Sequence, residues 1–360
     1  MTLRGKKYLK NLDKYIGVPL LFLFGLIRVK RKLPKSISNI GIMLVPAIGD
    51  IILISGLLEE IKLKYNNSTI HLFVPSEYEY ALPLIKKYDL FTKINLSKPI
   101  KTLGLIRKNT FDIFIDASQW ARLPALISVL SESKYTIGFN SKGQGKHFAF
   151  DKAVEHSSKV HEFFNLKGLN FSNSDEIKDI PLLNIDSNIP IDEKKIIIHI
   201  APSGYKSERK ELPINHWTKI IEYLLKKDLN IYFTGSEADK NKIDNLIDTF
   251  KSDKLFNVAG TLSITETAKL LKSSKLVITI NTGIMHIASF LRCNLIAIHG
   301  PTNSKRWGPL NENSIVINSP YPEAPCLDLG FEYKCKDRDG KCMKAIIPET
   351  IIDSIEKFIS

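Results

Sequence analysis

From residue 38 onward, short apolar runs alternate with helix-spaced segments, and they do so twice. That alternation confines the chain to parallel α/β sheets. Asn39-Ile-Gly-Ile-Met-Leu-Val45 predicts a buried strand stopped at Pro46, and Ile51 to Lys64 predicts a helix with Asp50 as its N-cap. Thr69–Val74, Phe111–Asp116 and Tyr135–Phe139 predict further strands. A polar stretch from Asn170 to Asp192, holding Pro181 and Pro190, interrupts the pattern and predicts a linker. The alternation restarts with strands at Lys195–Ile200, Leu229–Thr234, Leu276–Ile280 and Leu295–Ile298, a helix from Pro213 to Lys227, and a closing helix from Glu349 to Ile359. The expected fold is two doubly wound, Rossmann-like α/β domains facing a cleft. The expected boundaries are 1–37 (basic apolar segment), 38–180 (N-terminal domain), 181–194 (linker), 195–345 (C-terminal domain) and 346–360 (closing helix).

Charge separates the first segment from the rest. The 360-residue chain carries +13, and residues 1–35 supply +9 of it through ten basic residues and one acid, Asp13. Within that segment Tyr15 to Ile27 is uncharged, and thirteen residues fall short of the roughly 20 that a membrane-spanning helix needs. Arg28-Val-Lys-Arg-Lys32 follows where a cleaved leader would have small residues. The pattern predicts an interfacial helix on an anionic membrane surface; the alternative is a helix packed on the protein's own body. The nearly neutral remainder disfavours nucleic acid as a partner. Four cysteines exclude a disulfide framework and suit a reducing compartment. Cys326, Cys335 and Cys342 lack zinc-site spacing and predict unpaired thiols on the surface, with no metal.

In doubly wound sheets, ligands sit on loops beyond the carboxyl ends of the strands. Five such loops carry chemistry. Pro46-Ala-Ile-Gly-Asp50 places Gly49 and Asp50 at a helix start, where Asp50 serves either as a cap or as a proton acceptor. Ala201 to Lys210 gathers Ser203, Gly204, Lys206, Ser207, Arg209 and Lys210, the hydroxyls, backbone N–H groups and cations that suit a diphosphate, or else a solvated loop. Thr234-Gly-Ser-Glu237 offers a carboxylate to ribose hydroxyls or to a helix start. Ile280-Asn-Thr-Gly-Ile-Met-His286 joins a strand to a helix whose N-terminus suits an anion, with His286 either a ligand or a packing group. His299 to Pro309 adds Thr302, Lys305 and Arg306.

Asn281-Thr-Gly-Ile-Met-His286 with His299-Gly-Pro-Thr…Trp307-Gly-Pro309, then Gly49-Asp50-Ile-Ile-Leu, then Lys210-Glu-Leu-Pro213, resemble in this order glycosyltransferase family 9, over about residues 38–312. The resemblance implies a GT-B fold and metal-independent, inverting transfer from a nucleotide sugar, typically ADP-heptose, to a lipid-linked acceptor such as lipopolysaccharide core, on the cytoplasmic face of the inner membrane. It implies no cofactor beyond the nucleotide-sugar co-substrate. Asp50 matches the general base, and Lys210 and Ser203 match contacts to the donor diphosphate, near which Lys206 also falls. Glu237 matches the ribose acid, and Thr282, Gly283 and His286 match the donor site at the helix start. The family usually has Asp where this chain has Asn281, so heptose stands as a default. For the acceptor, Gly49 and Lys142 are the candidates, with Lys146 and His147 on the same Gly-rich loop as Lys142. Two other readings remain: a GT-B enzyme for another nucleotide sugar or an epimerase of related fold, and a non-catalytic nucleotide-sugar-binding protein at the membrane.

Overall fold

The computed structural model describes residues 11, 13–45, 47–171, 178–202, 207–328, 332–333 and 339–360. The chain divides into two compact units, Met1–Pro181 and Leu182–Ser360. Each is built on one six-stranded parallel sheet.

In the first unit the strands are β1 (Asn39–Met43), β2 (Thr69–Pro75), β3 (Leu90–Ile94), β4 (Ile113–Asp116), β5 (Tyr135–Asn140) and β6 (Lys152–Glu155), in the order β3-β2-β1-β4-β5-β6. In the second they are β7 (Asp192–His199), β8 (Asn230–Phe233), β9 (Leu255–Asn257), β10 (Ser274–Ile280), β11 (Leu295–His299) and β12 (Ser314–Asn318), in the order β12-β11-β10-β7-β8-β9. Both are the doubly wound order. All strands run parallel, and the order in which they are laid down switches sides between β1 and β4 in one sheet and between β7 and β10 in the other. Those two switch points open the crevices in which such sheets hold ligands. The central strands are near-continuous Ile, Leu, Val and Phe because helices cover both faces: Ile40, Ile42, Ile113, Ile115, Ile196, Ile198, Ile278 and Ile280 are all fully buried.

The segment expected to be a single helix over Ile51–Lys64 is two helices, Ile48–Leu53 and Ser55–Lys64. The cap position belongs to Ala47, in extended backbone, and Asp50 lies three residues inside. The Asp50 carboxylate accepts from the Ala47 N–H at 2.6 Å, so it satisfies a helix-start donor from within the first turn.

The N-terminal apolar run forms the helix Gly17–Ile27, which packs on the first unit. Leu21 is fully buried with Ala125, Ala149 and Phe150, a contact contributing about 1.5–3 kcal/mol. Two glycines allow the close approach: a Cβ at Gly17 would fall 2.9 Å from Arg122 Cβ, and one at Gly25 would fall 3.0 Å from Phe148 Cβ. Arg28 and Arg31, counted in the sequence among membrane-facing cations, both pair with the buried Asp151 carboxylate at 2.8 Å. Burial works against the charge on Asp151, but hydrogen bonds from Arg31 and Thr136 and the charge of Arg28 outweigh it and hold the carboxyl below its ordinary range. Asp13, the one acid of this segment, pairs with Arg122 at 3.1 Å. Among the described residues no helix is long and apolar enough to cross a membrane.

Candidate functional site

The crevice between β1 and β4 is where the first unit concentrates its polar chemistry. The loop after β1 delivers Asp50 and the loop after β4 delivers Gln119, whose Nε2 donates to Asp50 Oδ1 at 2.6 Å. With Ala47 N–H on Oδ2, both carboxylate oxygens are anchored, and the side chain has a fixed direction. Asp50 is buried, at 8% exposure, and Gly49 is buried beside it in the same helical turn. Gln119 Oε1, on the amide that already touches Asp50, is buried without a hydrogen-bond partner. Such an orphan acceptor costs about 1–3 kcal/mol unless something donates to it, and a substrate hydroxyl is a suitable donor.

A second layer supports this pair. Asp116, the last residue of β4, accepts from Ser118 N–H at 2.9 Å and from the Ser118 hydroxyl. Lys146 Nζ lies 3.0 Å from Asp116 Oδ2, with both side chains fully buried. It also donates to the Ser118 carbonyl and, at 3.1 Å, to Ser118 Oγ. Burial pushes the Lys146 ammonium below its ordinary range, with Asp116 acting in the opposite direction. Lys146, which the sequence offers either to acceptor phosphates or to solvent on a Gly-rich loop, does neither: its ammonium is turned inward to Asp116 and to the loop that carries Gln119. Lys142 is exposed after β5, and the His147 ring lies tilted against Phe148, with centroids 4.1 Å apart.

In the second unit the candidates fall on the carboxyl-end loops of β7, β8 and β10. Ser203, Gly204 and Lys206 lie outside the described residues. Lys210 is half-buried at the end of the short 3-10 helix Ser207–Lys210. Glu237 is exposed where the loop after β8 enters another 3-10 turn. Its carboxylate lies over Gly260: a Cβ there would fall 2.1 Å from Glu237 Oε2, and Gly260 has φ +73°. Sequence reasoning missed this glycine, although Gly with positive φ is the usual residue where a backbone must pass close to another group. His199, at the end of β7, meets Thr234 Oγ1 at 3.0 Å. Burial pushes its pKa down to about 4, so it is neutral at pH 7.

After β10, Thr282 is the N-cap of the helix Gly283–Phe290 but makes no side-chain capping bond, and its Oγ1 is buried without a partner. Gly283 opens the helix; its N–H and its neighbours' carry the partial positive charge of a helix start. His286 is buried in the second turn, at 5% exposure, rather than at the helix tip. Arg306 is fully buried and stacks on Trp307 at 4.6 Å, while Lys305 is exposed. Thr302 is buried and bonded to His299 at 3.0 Å. Cys342, expected at the surface, is buried in the core of this unit; Cys326 is half-buried and Cys335 lies outside the described residues. Among the described residues no group of three His, Cys, Asp or Glu is arranged to hold a metal ion. A cavity of about 220 Å³ opens beside the β7 loop, lined by Ile200, Glu208, Trp217, Lys242 and Lys344 among others, but by none of the described donor candidates.

Asn281 uses its amide. Nδ2 donates to the Trp307 carbonyl at 3.0 Å, tying the helix start to the loop after β11. A carboxylate at this position could not donate and would oppose a second acceptor. Asn281→Asp is therefore expected to destabilise the protein by about 1–3 kcal/mol, read as a fall of several degrees in thermal unfolding midpoint. An unchanged midpoint would show that the Trp307 contact contributes nothing.

Two parallel sheets of doubly wound order, each with its polar residues at the switch in strand order, define the architecture of GT-B heptosyltransferases. The sequence profile of glycosyltransferase family 9 (heptosyltransferase) matches residues 105–336, and the chain belongs to that family. It is 27% identical over 124 residues to lipooligosaccharide heptosyltransferase 2 of Haemophilus influenzae, 34% of this chain and 36% of that protein. The matches to this and the next curated relatives span only 36–44% of their length. Among solved structures, the family 9 glycosyl transferase of Veillonella parvula superposes with TM-score 0.74 at 16% identity, covering 91% of this chain and 99% of that one. The ADP-heptose lipopolysaccharide heptosyltransferase II of E. coli superposes with TM-score 0.69, also at 16% identity, covering 89% and 98%. At such identities these likenesses establish the fold.

Proposed function

We propose that this chain is an inverting glycosyltransferase that needs no metal. It would move a sugar, heptose by default, from a nucleotide-sugar donor to a lipid-linked cell-surface glycan such as lipopolysaccharide core, on the cytoplasmic side of the membrane. The observation that carries the reading is the buried Asp50 carboxylate, aimed by Ala47 N–H and Gln119 at the β1/β4 switch point, with the orphan Gln119 Oε1 beside it. Family membership and the fold shared with the E. coli ADP-heptose lipopolysaccharide heptosyltransferase II support the donor class.

In this scheme Asp50 accepts the proton of the acceptor hydroxyl as that oxygen bonds to the anomeric carbon. The bond between that carbon and the diphosphate oxygen breaks in the same displacement, which inverts the centre. The leaving nucleoside diphosphate gains charge, and Lys210 with the N–H groups at Thr282 and Gly283 stabilises it. Glu237, seated over Gly260, accepts from ribose hydroxyls. With charge supplied by Lys210 and a helix start, turnover is expected to persist in a chelator. Lys210→Ala is expected to lower kcat/KM on the order of a hundredfold, with weaker donor binding, in a steady-state assay of diphosphate release. Unchanged kinetics would remove Lys210 from the site.

A second reading, transfer from a different nucleotide sugar, is favoured by Asn281, whose amide is committed to Trp307 where the family usually places a carboxylate. A thermal-shift panel of ADP-, UDP-, GDP- and CMP-sugars separates the two, because the true donor raises the unfolding midpoint most. An ADP-sugar at the head of the panel supports the first reading, and any other nucleotide supports the second.

A further inference from the structure

The helix Gly17–Ile27 is apolar on every side, yet the described residues cover only one side. Gly17 and Leu21 are buried, and Val18, Phe24 and Gly25 half-buried, at the helical spacing of a single face turned to the first unit. The opposite face leaves Leu20, Phe22, Leu23, Leu26 and Ile27 exposed, Leu26 at 67% and Ile27 at 79%, and Val29 continues it. An all-round apolar helix is stable in water only when something covers the second face.

The surrounding charge identifies the cover. Lys14 just before the helix, and Lys30, Lys32 and Lys35 in the segment that follows it, are all exposed, and none makes an ion pair with a described residue. The only acid of the segment, Asp13, is taken by Arg122. A second copy of the chain would bring these like charges together across a symmetric interface. A polyanionic surface with an apolar interior satisfies both the leucines and the lysines. Eleven residues in a helix reach about 17 Å, too short to cross the roughly 30 Å of hydrocarbon, so the helix lies along the surface.

We infer that the outer face of this helix is a docking surface for an anionic lipid bilayer, while its inner face stays locked to the first unit by Leu21 and by the Arg28–Asp151 and Arg31–Asp151 pairs. The segment is then not a loose tether. It is a fixed edge of the first unit, which is held against the lipid surface in one orientation. This inference is independent of the transfer reaction and goes beyond it: lipid binding requires neither donor nor acceptor.

The test is co-flotation of the full chain with vesicles of phosphatidylglycerol and phosphatidylethanolamine, alongside vesicles of phosphatidylcholine alone. The native chain is expected to bind the anionic vesicles at least tenfold more tightly. The variant Leu23→Glu/Leu26→Glu/Ile27→Glu, altered only at exposed positions, should keep the native unfolding midpoint and lose at least tenfold in anionic-vesicle affinity. Lys30→Glu/Lys32→Glu should lose affinity and its dependence on salt. Undiminished binding by the triple variant overturns the proposal, as does equal binding to both vesicle types. A stable dimer in solution that the triple variant abolishes, without vesicle binding by the native chain, assigns the face to a second copy and also overturns it.

Discussion

Asp50→Asn is expected to lower turnover about a thousandfold while leaving donor affinity within a factor of two. Asparagine is nearly isosteric with aspartate and can still meet either the Ala47 N–H or the Gln119 amide. The helix start should therefore survive. What is lost is the basic oxygen that, in the proposed mechanism, takes the proton of the attacking hydroxyl, and a positioned proton acceptor contributes about 10²–10⁴-fold. Donor affinity should hold because every donor candidate lies in the other unit. Single-turnover kinetics with nucleotide binding measured on the same preparation separates the two quantities. Near-native turnover would remove Asp50 as the base, and loss of donor binding would make it a binding residue.

The second large effect lies beneath the site. Lys146→Met leaves the Asp116 carboxylate buried and uncompensated, since both side chains of that pair are fully covered. Removing one member of a buried pair costs about 3–5 kcal/mol. The loss reaches the site because Lys146 also holds the Ser118 carbonyl, one residue before Gln119. The expected result is a fall in unfolding midpoint on the order of 10 °C with reduced turnover. In Lys146→Met/Asp116→Leu no unpaired charge remains, and much of the stability should return while turnover does not. Chemical denaturation of the two variants checks this. Equal stability of the single variant and the native protein would show that the pair contributes nothing.

Much of this was legible in the sequence. The central strands are uninterrupted apolar runs, and a strand covered on both faces has no other way to be written. The edge strands β3, β6, β9 and β12 were not legible, because they are only three to five residues long and largely exposed, so they lack the long buried apolar run that marks the central strands. Asp50 stood out by its place after a strand, but Gln119 did not. Its role depends on β1 lying beside β4, a contact between residues 69 positions apart that no local pattern encodes. Lys146 misled for the same reason: on a Gly-rich loop it resembles a solvated cation, and only the fold shows that the loop turns it inward to Asp116. Arg28 and Arg31 were counted with the lysines around them, yet a planar guanidinium suits a buried carboxylate better than an ammonium does, and Asp151 takes both. The departure at Asn281 was visible as a letter; its meaning needed the Trp307 carbonyl.

The measurement that bears most directly on the central claim is acceptor-dependent release of nucleoside diphosphate by the purified full chain, supplied with ADP-heptose and a truncated lipopolysaccharide-core acceptor. The account predicts one diphosphate released per glycosidic bond formed, inverted configuration at the anomeric carbon of the product, and loss of the reaction in Asp50→Asn. A folded, nucleotide-binding protein that releases no diphosphate from ADP-, UDP- or GDP-sugars in the presence of that acceptor would contradict it.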